Sequence, residues 1–124
     1  MPLPFEWVEI DPWPSDDASY LCWSPYLERL IAVIYADVYY SDDGFTWSIG
    51  TAPSVTHGMM HPVWNQSALK YYAIVYNSGA VAYWSASSID GITWSYDAQI
   101  TASVYNFTAL GCNGAGQMLA ITEE

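Results

Sequence analysis

Hydrophobic and polar positions along this chain alternate over short distances and without a helical period. No window of about 11 residues repeats apolar side chains at i, i+3, i+4 and i+7, while β-branched and aromatic residues dominate throughout. Short apolar runs are broken by turn signals: Asp43-Gly44, Asn77-Ser78-Gly79, Asp90-Gly91 and Asn113-Gly114-Ala115-Gly116. The pattern predicts an all-β fold. The longest apolar run, Leu30 to Ala36, has the length of one buried strand. It falls far short of the roughly 20 residues that a membrane-spanning helix needs.

The runs also repeat. Ser41-Asp42-Asp43-Gly44-Phe45-Thr46-Trp47-Ser48 returns as Ser88-Ile89-Asp90-Gly91-Ile92-Thr93-Trp94-Ser95, 47 residues later. Upstream, Trp23-Ser24 and Leu30–Tyr35 correspond to Trp64-Asn65 and Tyr71–Tyr76, at an offset of 41. A third, weaker copy begins at Ala109-Leu110-Gly111-Cys112-Asn113, continues from Gln117 to Ile121, and stops before any turn motif. Phe5-Glu6-Trp7 has the form of Phe45-Thr46-Trp47 and Ile92-Thr93-Trp94. The spacing predicts units of four strands. The first comprises Tyr20–Trp23, Leu30–Tyr35, Val38–Tyr40 and Thr46–Ile49. The second comprises His61–Trp64, Leu69–Tyr76, Ala80–Ser85 and Thr93–Tyr96. Phe5–Ile10 is left as an unpaired fourth strand, and Val104–Cys112 with Gln117–Thr122 as an unpaired first hairpin. Four antiparallel strands at a period in the forties are the signature of β-propeller blades. The chain divides accordingly into residues 1–19 (outer strand and linker), 20–60 and 61–103 (two blades) and 104–124 (the start of a shared third).

The repeated turn has a physical reading. Asp43 and Asp90 can accept hydrogen bonds from main-chain N–H groups of their own turns, and Gly44 and Gly91 allow the positive φ of a tight hairpin. Ser41, Ser88, Thr46 and Thr93 offer hydroxyls across the turn, and Trp47 and Trp94 can pack between neighbouring blades. Ser-x-Asp-Gly-x-Thr-Trp resembles the Asp-box, the turn joining the third and fourth strands of a blade in sialidases and other BNR-repeat propellers. The usual family pattern has one more residue between Asp and Gly; both copies here share the tighter form. The resemblance extends over most of the chain. It implies that these ten residues are structural and lie on the rim, away from any catalytic centre.

Two and a half blades do not close a ring, so association is the expected remedy. The C-terminal hairpin of one subunit would pair with the N-terminal strand of the next, a head-to-tail contact that closes by rotation. A cyclic homodimer gives six blades, the number in sialidase-like propellers; a homotrimer, the alternative, gives nine.

Charge narrows the chemistry. Thirteen acids face two bases, Arg29 and Lys70, for a formal net charge of −11. Phosphate neutralisation on nucleic acid needs several cations on one face, and an anionic membrane surface would repel the chain. High apolar content argues against disorder. The N-terminus lacks the basic start and apolar run of a signal peptide, so the sequence indicates synthesis without export and otherwise leaves the location open. Cys22 and Cys112 are expected to be buried free thiols rather than a disulfide framework.

Sialidases hold a carboxylate with three arginines and use a nucleophilic Tyr with a Glu partner and an acid Asp. One arginine, Arg29, cannot supply that cluster. A two-carboxylate glycosidase is formally open. However, Asp16, Asp17, Glu28, Asp37, Asp42 and Asp97 fall in turn-like segments and read as solvated surface. No catalytic residue and no enzyme activity is expected. His57 and His61, with Met59 and Met60 between, read as a loop entering a strand rather than a metal pair, and no cofactor is expected. Calcium at Asp16-Asp17 or Glu123-Glu124 is the weaker alternative.

The aromatics carry what remains. Trp47, Trp94 and Trp7 recur and are assigned to packing, while Trp23 and Trp64 recur on the inner strand, where they could line a central channel. Trp13, Tyr39, Tyr40, Tyr83 and Trp84 are not accounted for by the repeat and, with Trp23 and Trp64, are the candidate ligand-binding residues. Exposed rings beside carboxylates suit sugars, so the leading expectation is a non-catalytic, self-assembling, lectin-like propeller. The alternative is a structural or attachment component of a larger assembly, such as a phage virion or tail. An enzyme completed only at the oligomer centre ranks third.

Overall fold

The computed structural model describes residues 20–54, 56–101 and 106–123. Ten strands and no helix make up these residues. β1 (Tyr20–Ser24), β2 (Arg29–Ile34), β3 (Asp37–Ser41) and β4 (Ser48–Ile49) form one antiparallel sheet in sequence order. β5 (Thr56–Asn65), β6 (Lys70–Asn77), β7 (Ala82–Ser88) and β8 (Ser95–Thr101) form a second with the same order. β9 (Asn106–Cys112) and β10 (Met118–Glu123) are a third, two-stranded sheet. The expected strand at Phe5–Ile10, Trp7 and Trp13 lie outside the described residues, as does Tyr105.

Each four-stranded sheet is a meander because every connection is short enough to turn the chain straight back on itself. The central strands β2 and β6 are apolar on both faces because both faces are covered, which is why these runs do not alternate. One core cluster joins Ile31, Val33 and Val38 of the first sheet to Met59, Tyr71, Ala73, Val75, Ala86 and Trp94 of the second. A second joins Ile74 and Tyr83 to Phe107 of the third sheet. At about 1.5–3 kcal/mol per buried large side chain, these face-to-face contacts are the main force stacking the sheets. The first strands gather at one side of the stack, β1 beside β5 and β5 beside β9.

The segment after β4 laces the first two sheets together. Gly50 N donates to Val38 O, Thr51 N to Ile92 O, and Trp94 N to Thr51 O, at 2.7–2.9 Å. Met59 N donates to Tyr35 O in the β2–β3 turn.

Several boundaries differ from the sequence reading, each for a local reason. The fourth strand of the first unit is Ser48–Ile49 rather than Thr46–Ile49, because the amide of Thr46 is held by the turn carboxylate. β5 begins at Thr56, five residues before the expected His61; bulges at Thr56/Gly58 and Met60/Val63 absorb the extra length, and His61 takes a φ of 52°. β7 and β8 run Ala82–Ser88 and Ser95–Thr101 rather than Ala80–Ser85 and Thr93–Tyr96, since residues 89–94 belong to the turn. The two cysteines are free but half-buried rather than buried, because β1 and β9 each border only one strand of their own sheet. Burial pushes the Cys22 thiol up to about 11.

Candidate functional site

The chemistry-bearing residues collect around the two repeated turns. In the first, Ser41 Oγ donates to Asp43 Oδ1 (3.0 Å), and Gly44 N donates to Ser41 Oγ (2.8 Å). Asp43 Oδ1 accepts the amides of Phe45 (2.8 Å) and Thr46 (2.7 Å). Trp47 Nε1 closes the loop on Gly44 O at 3.2 Å. The second turn repeats every bond. Ser88 Oγ donates to Asp90 Oδ1 (2.9 Å), Gly91 N to Ser88 Oγ (2.8 Å), Ile92 N and Thr93 N to Asp90 Oδ1 (2.8 and 3.0 Å), and Trp94 Nε1 to Gly91 O (3.2 Å). Gly44 and Gly91 have φ of 80° and 75°, the left-handed region that the turn requires.

Those amides set the charge state of the turns. The Thr46 and Phe45 N–H groups hold Asp43 down at about 2. At Asp90, burial raises the carboxyl, but the Thr93 and Ile92 amides and the Ser88 hydroxyl outweigh it and leave a net lowering. Both turn carboxylates are therefore ionised at neutral pH.

Arg29, at the start of β2, joins the two turns. Its Nε and Nη2 meet Asp42 Oδ1 and Oδ2 at 2.6 and 3.0 Å, and its Nη1 donates to Asp90 O at 2.8 Å. The guanidinium lies 5.2 Å from the centre of the Tyr40 ring. This fork holds Asp42 below the usual carboxylate range, with the hydrogen bond from Arg29 as the largest cause. Beneath it, Tyr71 Oη donates to Arg29 O at 2.6 Å, and burial pushes the phenol up to about 12. The sequence weighs Arg29 only as one arginine too few for a sialidase cluster. No local signal marks its role, because Asp42 is 13 residues away and Asp90 is 61.

Beside the first turn an open cleft of 350 Å³ is lined by Tyr40, Ser41, Asp42, Asp43, Thr46 and Ser48. Of the six candidate aromatics among the described residues, only Tyr40 borders it. Tyr39 is half-buried on the opposite face of β3. Trp64 is half-buried, edge-on to Tyr71 at 4.9 Å and stacked under Tyr26 at 6.3 Å, with Nε1 donating to Gln66. Trp23, at the matching place on β1, is exposed. Tyr83 is buried edge-on to Phe107, which makes it a packing residue with no free ring face. Trp84 lies 5.6 Å from Tyr96, and its buried Nε1 has no hydrogen-bond partner among the described residues. The described candidate rings thus do not converge on one pocket.

His61 packs edge-on to Tyr20 at 4.7 Å, with Nε2 at 3.1 Å from Phe107 O. Among the described residues no group of three or more His, Cys, Asp or Glu is placed to hold a metal ion. Asp16, Asp17 and Glu124 lie outside those residues, and of His57 only the backbone is described. Compared with models of known protein families, with curated protein sequences and with solved structures, the chain matches none of them.

Proposed function

We propose that the chain is a non-catalytic binding module of the β-propeller kind that takes a saccharide in the cleft beside the first turn. The observation that carries this reading is the lining of that cleft: an aromatic ring, two carboxylates and three hydroxyls in one opening. A ring such as Tyr40 stacks on the apolar face of a pyranose, while carboxylates and hydroxyls meet sugar hydroxyls. Arg29 fixes the Asp42 carboxylate in one orientation, which lowers the ordering cost of binding. Charge supports the non-catalytic part of this reading. Glycoside cleavage needs one carboxylic acid kept protonated, and both acids of this cleft are held below the usual carboxylate range.

The propeller reading is supported by two four-stranded meanders and a two-stranded hairpin stacked in sequence order, with their first strands gathered to one side. The likeness of the turn to an Asp-box is supported by the identical hydrogen-bond network in both copies. A glycan array followed by titration calorimetry tests the function. At least one saccharide should bind at about 1 mM or tighter, and Tyr40→Ala should weaken it about tenfold or more. An array without a binder at that level overturns the reading. A second reading, a structural component of a larger assembly, is favoured by the exposed apolar residues Phe45, Ile49, Leu119 and Ile121.

A further inference from the structure

We propose that two exposed faces on the first and third described sheets, Leu119 with Ile121 on β10 and Phe45 with Ile49 around the first turn, pack on each other between copies. The contact is head to tail, and the occupant of each face is a second copy of this chain.

The internal contact between the first two sheets supplies the template. On β2, Ile31 and Val33 are fully buried under the second turn, so closely that a Cβ on Gly91 would stand 2.9 Å from Ile31 Cγ2. The third sheet carries the same positions. Gln117 stands opposite Asn113, its carbonyl accepting the Asn113 amide, as Arg29 stands opposite Ser24. Two and four residues further, Leu119 and Ile121 take the places of Ile31 and Val33. They are 70% and 53% exposed.

The complementary face shows the same contrast. In the repeat, Phe45 and Ile49 match Ile92 of the second turn and Tyr96 of β8; both are half-buried, and Tyr96 packs on the core shared by the first two sheets. Phe45 and Ile49 are 61% and 62% exposed. Trp23 matches Trp64, which lies under Tyr26 of the preceding sheet; Trp23 is 46% exposed. Among the described residues, the third sheet therefore carries a covering face and the first sheet a face of the kind it covers. A single chain carrying both halves of one interface makes heterologous contacts, which close into a ring or run on.

The contact between copies differs from the internal one in one respect. At the position of Arg29 it has Gln117, so no guanidinium reaches the turn carbonyl that corresponds to Asp90 O. It is then mainly apolar, between chains of net charge −11, and should tighten with salt as repulsion is screened. It leaves the saccharide cleft open. Tyr40 and Ser48 pair on one face of the first sheet, whereas Tyr39 and Ile49 pair on the other.

Size-exclusion chromatography with light scattering on the full chain tests the proposal. Between about 1 and 100 µM, a range that spans typical weak interfaces, the mass should rise to two or three times 13.8 kDa, and more readily at high salt. L119D/I121D and F45D/I49D should each weaken association about a hundredfold. Mixed together they should give a dimer of one each and nothing larger, since each retains one intact face. Ile89→Asp, an exposed apolar position on neither face, should keep the parent mass, and circular dichroism should report the same fold for all. A parent that stays at 13.8 kDa, variants with the parent's mass, or a mixture that fails to dimerise would overturn the inference. Saccharide binding by the monomeric variants separates this outcome from the function reading: either can fail while the other stands.

Discussion

The two copies of the turn have the same bonds and different surroundings. Around Gly44 and around Gly91, five side-chain hydrogen bonds repeat with matching partners and nearly equal lengths. Yet Trp94 is buried and Trp47 half-buried, and Ile92 is half-buried where Phe45 is exposed. The second turn lies against β2, with Thr51 threaded beside it and Arg29 bonded to its carbonyl. The hydrogen-bond network is thus complete without the neighbour. What the neighbour adds is burial, and burial makes one copy a core element and leaves the other a surface.

The sharpest way to break this comparison is to remove both indoles. Trp94→Ala should cost about 3–5 kcal/mol by equilibrium urea unfolding and Trp47→Ala about half as much. Equal losses would mean the two turns share one environment. If copies associate, the Trp47 loss should grow with protein concentration while the Trp94 loss stays constant.

Next come the glycines. An alanine Cβ at position 91 would meet Ile31 Cγ2 at 2.9 Å and Tyr71 Cε2 at 3.0 Å in addition to its positive φ. At position 44 it meets only Leu30 Cδ1 at 3.6 Å. Gly91→Ala should therefore cost about 3 kcal/mol and Gly44→Ala about 1 kcal/mol in thermal unfolding.

Tyr71→Phe deletes the 2.6 Å bond to Arg29 O, a tie between the first two sheets beside the covered turn. About 1 kcal/mol should be lost, and more would indicate that the Arg29 fork is displaced with it.

The smallest effect is one of pH. Asp43 sits at about 2 in the folded chain against ~3.9 in the unfolded one. Its contribution is full above about pH 4 and is lost as pH falls towards 2. Asp43→Asn keeps an acceptor oxygen for the turn, so its urea midpoint should fall less steeply across that window than the parent's. An unchanged slope would show that the carboxylate charge does not matter there.

The sequence made the strands and the turns legible for a local reason. Every bond of the clamp spans two or three residues, so the stretch from Ser41 to Trp47 contains all of its own partners. The same holds for the meander, since each strand pairs with the next across a short turn. Some of those turns gave no glycine signal: Glu28 and Leu69, at positive φ of 51°, close the β1–β2 and β5–β6 connections with ordinary side chains. Strand ends differ where the turn network takes residues from the ladder, as at Thr46, and where bulges let a strand run longer, as before His61.

The candidate site was legible only in part. Tyr40 was named among seven aromatics, but nothing in the sequence distinguished it from Tyr83, which packs on Phe107 24 residues away in the chain. Arg29 was noted for what it could not do. Its bonds to Asp42 and Asp90 exist because β2 pairs with β3 and the second sheet stacks on the first.

By itself, then, the sequence determined the all-β repeat, the three-unit order and the paired turns, because these rest on contacts between near neighbours. Only the tertiary structure decided which turn is covered, which aromatics are core, and where Arg29 is anchored. Those depend on which sheet lies against which, and identical local motifs carry no record of that.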